Sequence, residues 1–266
     1  MKDFFGKYKI VWVVVLIVVL AAFFFFFPKK SLDEEDYQGF SDLVDKDVRM
    51  TNEAVDEGKD LLGNEKEEAL PENSHKILDI PFIPQAPFAE WDNPIFQDGC
   101  EEAAALMAVY WARGKSLDKW KAKEEIIAMS AYQKEKFGEY RDTSSYDTME
   151  RIIKGYFGYN DVEVKREIVL KDIIDEIKKG RAVIVPTNGR LLGNPYFTLP
   201  GPERHNLVIR GYDSEKQEFI VNDPGTRRGE KYRYQEEILF NAIRDYPTGY
   251  HQPIDRIEKV MIVVWR

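Results

Sequence analysis

The sequence predicts an α+β fold: a helical part carrying the single cysteine, then an antiparallel sheet, all preceded by one transmembrane helix. Three observations predict it. Between Glu101 and Tyr156 apolar residues recur at helical spacing, while beyond Ala182 short β-branched runs take over. His205–Tyr212 and Glu218–Val221 flank Asp213-Ser214-Glu215 like the arms of a hairpin. Helices first and neighbouring strands later is the order of an α+β chain, not of a doubly wound one. Ahead of both, Ile10–Phe27 is 18 residues without a charge. As a helix it would be about 27 Å long, enough to cross the hydrocarbon of a bilayer.

Lys2, Lys7 and Lys9 precede that run and Pro28-Lys29-Lys30 closes it. The run exceeds the apolar core of a cleaved signal, so an uncleaved anchor is expected at the cell membrane. The lysine bias puts residues 1–9 in the cytoplasm and the main body outside it. The net charge of −9 divides unevenly: +4 over residues 1–30, −10 over 31–76 and −3 over 77–266. Residues 28–76 therefore read as a self-repelling acidic linker. The near-balanced domain at 77–266 gives no sign of a nucleic-acid partner.

Within that domain Ile77–Phe82 reads as a strand running into Pro84-Gln85-Ala86-Pro87. Glu101–Arg113 is helical and stops at Gly114; Ser116–Phe137 and Tyr146–Tyr156 continue the helical spacing. Val162–Val164 is a strand, Leu170–Lys179 a helix ended by Gly180, and Ala182–Val185 a buried strand. Asn188–Arg204 is a long loop that suits a cleft wall. After the hairpin, Tyr234–Ile243 is a helix and Val260–Trp265 a closing strand.

Cys100 has no disulfide partner in its own chain, so packing or chemistry sets its place. Gln97-Asp98-Gly99-Cys100-Glu101-Glu102-Ala103 reads as a loop turning into a helix. A thiol in the first turn meets free backbone N–H groups and the helix dipole, which lower its pKa. Glu101 and Glu102 act in the opposite sense. Packing is the plainer reading, since free cysteines are commonly small buried hydrophobes.

The chain has three histidines. His75 lies in the linker and His251 in a stretch resembling a surface turn, but His205 opens an apolar strand at the edge of the long loop. Hairpin pairing returns Asn222 or Asp223 to its side, and Asp223 there can accept from the imidazole. The alternative makes Asp223-Pro224-Gly225 a simple turn. Gly114-Lys115-Ser116 lacks the upstream glycine of a phosphate loop, Val109 standing in its place, so no nucleotide partner is expected. HExxH and paired Cys/His spacings are missing from the sequence, so neither metal nor cofactor is expected.

Four segments then fall in order: Leu78-Asp79-Ile80-Pro81-Phe82-Ile83-Pro84-Gln85, Gly99-Cys100-Glu101-Glu102-Ala103-Ala104, Gly180-Arg181-Ala182-Val183-Ile184-Val185, and His205–Asp213 followed by Asn222-Asp223-Pro224-Gly225. Over residues 77–266 they resemble the bacteriocin-processing (double-glycine leader) peptidase-like family of papain-like cysteine peptidases. The resemblance implies a papain-like fold with Cys100 as nucleophile, His205 as its base and later general acid, and Asp223 orienting His205. It also implies a glutamine that completes an oxyanion hole with the Cys100 N–H. Gln85 has the family's Pro-aromatic-x-x-Gln context but lies 15 residues before the cysteine, with Phe88–Pro94 inserted. Gln97 is nearer, yet three residues leave little room to reach across the site, so Gln85 is preferred. Glu101 stands where the family often has glycine.

The implied activity is hydrolysis of a peptide or protein substrate through a thioester acyl-enzyme, by a peptidase anchored in the membrane. Acyl transfer to an amine, as in transglutaminase-like relatives, and a silent peptide- or cell-wall-binding module are the other compatible classes. One membrane segment and no ATPase motif separate the chain from transporter-fused family members.

Overall fold

The runs Ala182–Thr187 and Val260–Val264 are apolar almost without interruption because their sheet is covered on both faces. The computed structural model describes residues 77–266. The expected N-terminal tail 1–9, membrane segment 10–27 and acidic linker 28–76 lie outside the described residues. Among the described residues no helix is long and apolar enough to cross a membrane.

Six strands form the sheet: β1 (Val162–Arg166), β2 (Ala182–Thr187), β3 (His205–Asp213), β4 (Glu218–Asn222), β5 (Tyr232–Gln235) and β6 (Val260–Val264). Their order is β1-β6-β2-β3-β4-β5, with every neighbouring pair antiparallel. Side chains alternate between faces, as strand geometry requires. Ala182, Ile184, Val208, Ile262 and Val264 enter one core, while Val183, Val185, Leu207, Ile209, Met261 and Val263 enter the other.

The helices are α1 (Pro94–Gln97), α2 (Cys100–Ala112), α3 (Lys119–Phe137), α4 (Ser145–Asp147), α5 (Leu170–Lys178), α6 (Gly189–Leu192) and α7 (Glu236–Ala242). A π-helical stretch, Thr148–Tyr156, continues α4. The first core holds α2, α3 and the π-helical stretch; α5 and α7 close the second. Helix α2 is apolar around its whole circumference and is buried from Cys100 through Trp111, as such a helix must be. It packs on β3, the strand that starts with His205. Its neighbour α3 begins where the Asp118 carboxylate accepts from the Trp120 and Lys121 N–H groups and ends at left-handed Gly138.

Two local expectations are corrected. Ile77–Phe82 is extended but forms no ladder. Leu78 N–H donates to Arg210 O at 2.7 Å, and side chains take over further on: Arg210 Nη1 and Asn222 Nδ2 donate to Ile80 O at 2.9 and 3.1 Å. Pro81 and Pro84 have no N–H to offer a ladder. Arg210 itself occupies a bulge, where the β3–β4 register shifts between Ile209 and Gly211. The helix expected over Tyr234–Ile243 begins at Glu236, because Tyr232 and Tyr234 pair with β4 as edge-strand residues. The inserted Phe88–Pro94 stretch, for which the sequence assigned no element, leads into α1, capped by the Asn93 side chain on the Ile95 N–H.

Gly99 joins α1 to α2 at a close approach: a Cβ there would lie 2.7 Å from Ile95 O. Gly99→Ala should lower stability by about 1–3 kcal/mol through overpacking, read as a fall in the urea midpoint with an unchanged slope.

Candidate active site

Cys100 is the first residue of α2 and is 6 % exposed. It is one of the residues lining a cavity of about 710 Å³, together with Gln85, His205, Phe197 and Tyr196. Asp223 stands behind His205: its Oδ1 lies 2.7 Å from His205 Nε2 in a fully buried pair. The antiparallel β3–β4 pairing makes this contact, since Val208 opposes Asn222 and the chain continues from there into Asp223. With Nε2 committed to a carboxylate, the ring's other nitrogen, Nδ1, carries the lone pair.

Asp223 is supplied with donors on every side. Gly225 N–H donates to Oδ1 at 3.0 Å, and Tyr234 Oη and Asn194 Nδ2 donate to Oδ2 at 2.7 and 3.4 Å. Burial alone would raise its pKa, but His205 and these donors outweigh burial and hold the carboxyl below its ordinary value. Phe197 meets the His205 ring edge to face at 5.3 Å. Gly225 allows that approach, because a Cβ there would sit 2.9 Å from both rings.

Gln85 is brought to the same cavity, and its backbone N–H donates to Pro224 O at 2.9 Å, just past Asp223. Its side-chain Nε2 donates to Phe96 O at 3.0 Å and Gln97 O at 2.8 Å, while its Oε1 is buried without a partner. The amide therefore pins the segment that leads into Cys100, and serving an oxyanion requires exchanging one of those bonds. Gln97 also lines the cavity, from an exposed position. His251, set aside from sequence as a surface-turn residue, is exposed but faces the cavity rim, stacked on Tyr250.

The thiol does not bond to His205. Cys100 Sγ–H donates to Glu101 Oε2 at 3.1 Å. Burial first, then the charge and hydrogen bond of Glu101, push the thiol well above its ordinary pKa, while the Asn206 backbone N–H pulls it down. The lowering expected from the helix terminus is thus overridden. Glu101 Oε1 accepts from Tyr246 Oη at 2.6 Å, and Tyr246 Oη accepts from Asn206 Nδ2 at 2.6 Å. Burial raises the Glu101 pKa to about 7 against that donation. Glu102 is fully buried, takes one bond from Gln133 Nε2 at 2.7 Å and leaves Oε2 unpartnered. Burial and then the Glu101 charge push it well above the carboxylate range. Sequence reasoning did not find Tyr246, Tyr234 or Asn194; it placed Tyr234 at the start of a helix, not on the strand beside the Asp223 hairpin.

A cysteine heading a central helix, opposite a histidine on an antiparallel sheet, defines the papain-like cysteine peptidase class. Residues 77–251 match the model of the Peptidase_C39 like family, and the chain belongs to that family. A solved structure described as a C39-like peptidase from Bacillus anthracis is similar at 18% identity and a TM-score of 0.46, covering 73% of this chain and 99% of that one. No curated protein matches the chain.

Tyr234→Phe should destabilise the fold by about 1.5–3 kcal/mol at neutral pH, the range for a hydrogen bond to a charged group. Asp223 is depressed in the fold, so its contribution is present above the unfolded carboxylate pKa and lost as pH falls through the folded one. The gap between wild type and variant in urea titrations should therefore close on acidification.

Proposed function

We propose that this chain is a cysteine peptidase held at the membrane by residues 10–27, with its catalytic domain outside the cytoplasm. The buried 2.7 Å pair of His205 and Asp223, beside the cavity that Cys100 also lines, carries the reading. In the reaction His205 Nδ1 takes the thiol proton and Cys100 Sγ adds to the scissile carbonyl carbon. The C–O π electrons move to oxygen, where the Cys100 N–H and a released Gln85 Nε2–H stabilise the oxyanion. Collapse expels the amine with the proton from His205 and leaves a thioester. Water, deprotonated by the same nitrogen, hydrolyses the thioester and restores the thiol. Asp223 keeps the ring in its tautomer and offsets the imidazolium charge.

The cavity suits an extended peptide, with Tyr196 and Phe197 offering apolar contact. Full-length protein in detergent, given a peptide library read by mass spectrometry, should cleave it. Cys100→Ala should abolish cleavage and His205→Ala reduce it by about 10²–10⁴-fold. Products joined to an added amine would instead indicate acyl transfer; a wild type that binds peptides without cleaving them would indicate a binding module. Deleting residues 10–27 should move the protein from the membrane to the soluble fraction after carbonate extraction.

A further inference from the structure

The hydrogen bond from Cys100 to Glu101 is not part of the triad chemistry, yet it occupies the nucleophile's only proton. Glu101 is 2 % exposed, and its side-chain oxygens are taken by Cys100 Sγ and Tyr246 Oη, neither of them a cation. The groups that act on it are acids or neutral donors. On its own helix these are Cys100 and Glu102; from the segment before α4 comes Asp142, itself 3.8 Å from Arg204 at the end of the long loop, and from the chain after α7 Tyr246. From the start of β3, Asn206 reaches it through Tyr246, and the Asn206 backbone N–H faces the sulfur.

We propose that Glu101 is a further catalytic residue: as a carboxylate it holds the Cys100 proton and keeps the thiol dormant, and on protonation it releases the thiol to His205. The proton count is simple. In the resting form the pair carries one proton, on sulfur, and one negative charge, on the carboxylate. Solvent supplies a second proton, which neutralises the carboxylate and ends its role as acceptor. The S–H proton then passes to His205 Nδ1, giving a thiolate and an imidazolium, with the neutral Glu101 O–H able to donate to sulfur. No redox change is involved.

Geometry supports this assignment over a structural one. Both Glu101 oxygens are engaged, one by the thiol and one by a tyrosine, whereas Glu102 one residue on has an idle oxygen and touches no reactive group. The Glu101 titration near 7 puts the change of state in the neutral range. Because its folded pKa is raised, the neutral form prevails below that point and the carboxylate above it.

The inference rests on Cys100 being the nucleophile, and the test separates the two. Iodoacetamide alkylation of Cys100 in the full-length protein is followed by mass spectrometry from pH 5 to 9, so no substrate is needed. Wild type should react at least as fast at pH 6 as at pH 8, with a step near 7. Glu101→Gln should lose the step and react about tenfold or more faster at pH 8, the consequence of a thiol pKa lower by one unit. Tyr246→Phe removes a donor that favours the carboxylate, so its step should move to higher pH; this variant keeps the test open should Glu101→Gln misfold. A thiol slowed by His205→Ala but indifferent to Glu101→Gln and Tyr246→Phe would overturn the role of Glu101 and leave the nucleophile standing. Reactivity indifferent to His205 as well, rising with pH like a free thiol, would overturn both.

Discussion

Helix α2 has no side turned to water, and the rest of the site follows from that. Complete burial forces the first turn, Cys100-Glu101-Glu102, into the same dry surroundings as the apolar turns behind it. Removing an ionised group from water costs several kcal/mol even after relaxation, whereas a helix N-terminus returns about 0.3–1 kcal/mol, rising to about 2 when partly buried. Desolvation therefore wins at all three positions, and each titrates above its ordinary value. A thiol at a helix start is activated only where water or a cation shares the work; here a carboxylate stands in that place.

Asp223 shows the opposite outcome at equal burial. Each hydrogen bond from a donor to a charged group is worth about 1.5–3 kcal/mol. Four donors converge on this carboxylate, enough together to exceed its desolvation. They come from four places in the chain: the start of β3, the turn after β4, edge strand β5 and the long loop after α6. That loop is thus tied to the fold from within, through Asn194 on Asp223 and Phe197 on His205, while Tyr196, Thr198 and Gly201 are among its residues that line the cavity. Charge in this molecule is placed by the number of donors brought to it, not by depth.

What could be read in the sequence follows the same division. Helix α2, the β3–β4 hairpin and the meeting of His205 with Asp223 were legible because periodicity and hairpin register are local properties. Strand β5 was not, since Tyr232-Arg233-Tyr234-Gln235 is short, half polar and adjoins a helix that absorbed it in the pattern. The extended Ile77–Phe82 segment looked like a strand because composition does not reveal that prolines and a bulged arginine replace its ladder. Gln85 was found as a residue but not its bonding, which depends on two carbonyls at the end of α1. Tyr246 meets Glu101 across 145 residues of chain, and no spacing rule reaches that far. Glu101 was visible as a departure from glycine and as a charge opposing the thiol; its bond to sulfur is a matter of side-chain rotamer.

Two adjacent buried glutamates are costly unless neutral, and a fold optimised for stability alone would replace both with apolar residues. At Glu102 burial and the neighbouring Glu101 charge both favour the neutral form and push the group well above its ordinary pKa, with one hydrogen bond from Gln133 acting against them. Glu101 cannot settle in the same way, because the Tyr246 donor favours its charged form while burial and Asp142 favour the neutral one. Burial prevails but Tyr246 limits it, which leaves the group at about 7, where a change in pH near neutrality alters its charge. A carboxylate that titrates there while bonded to the sulfur of Cys100 couples the nucleophile to its surroundings. A glycine at the same position would leave the thiol to His205 at every pH.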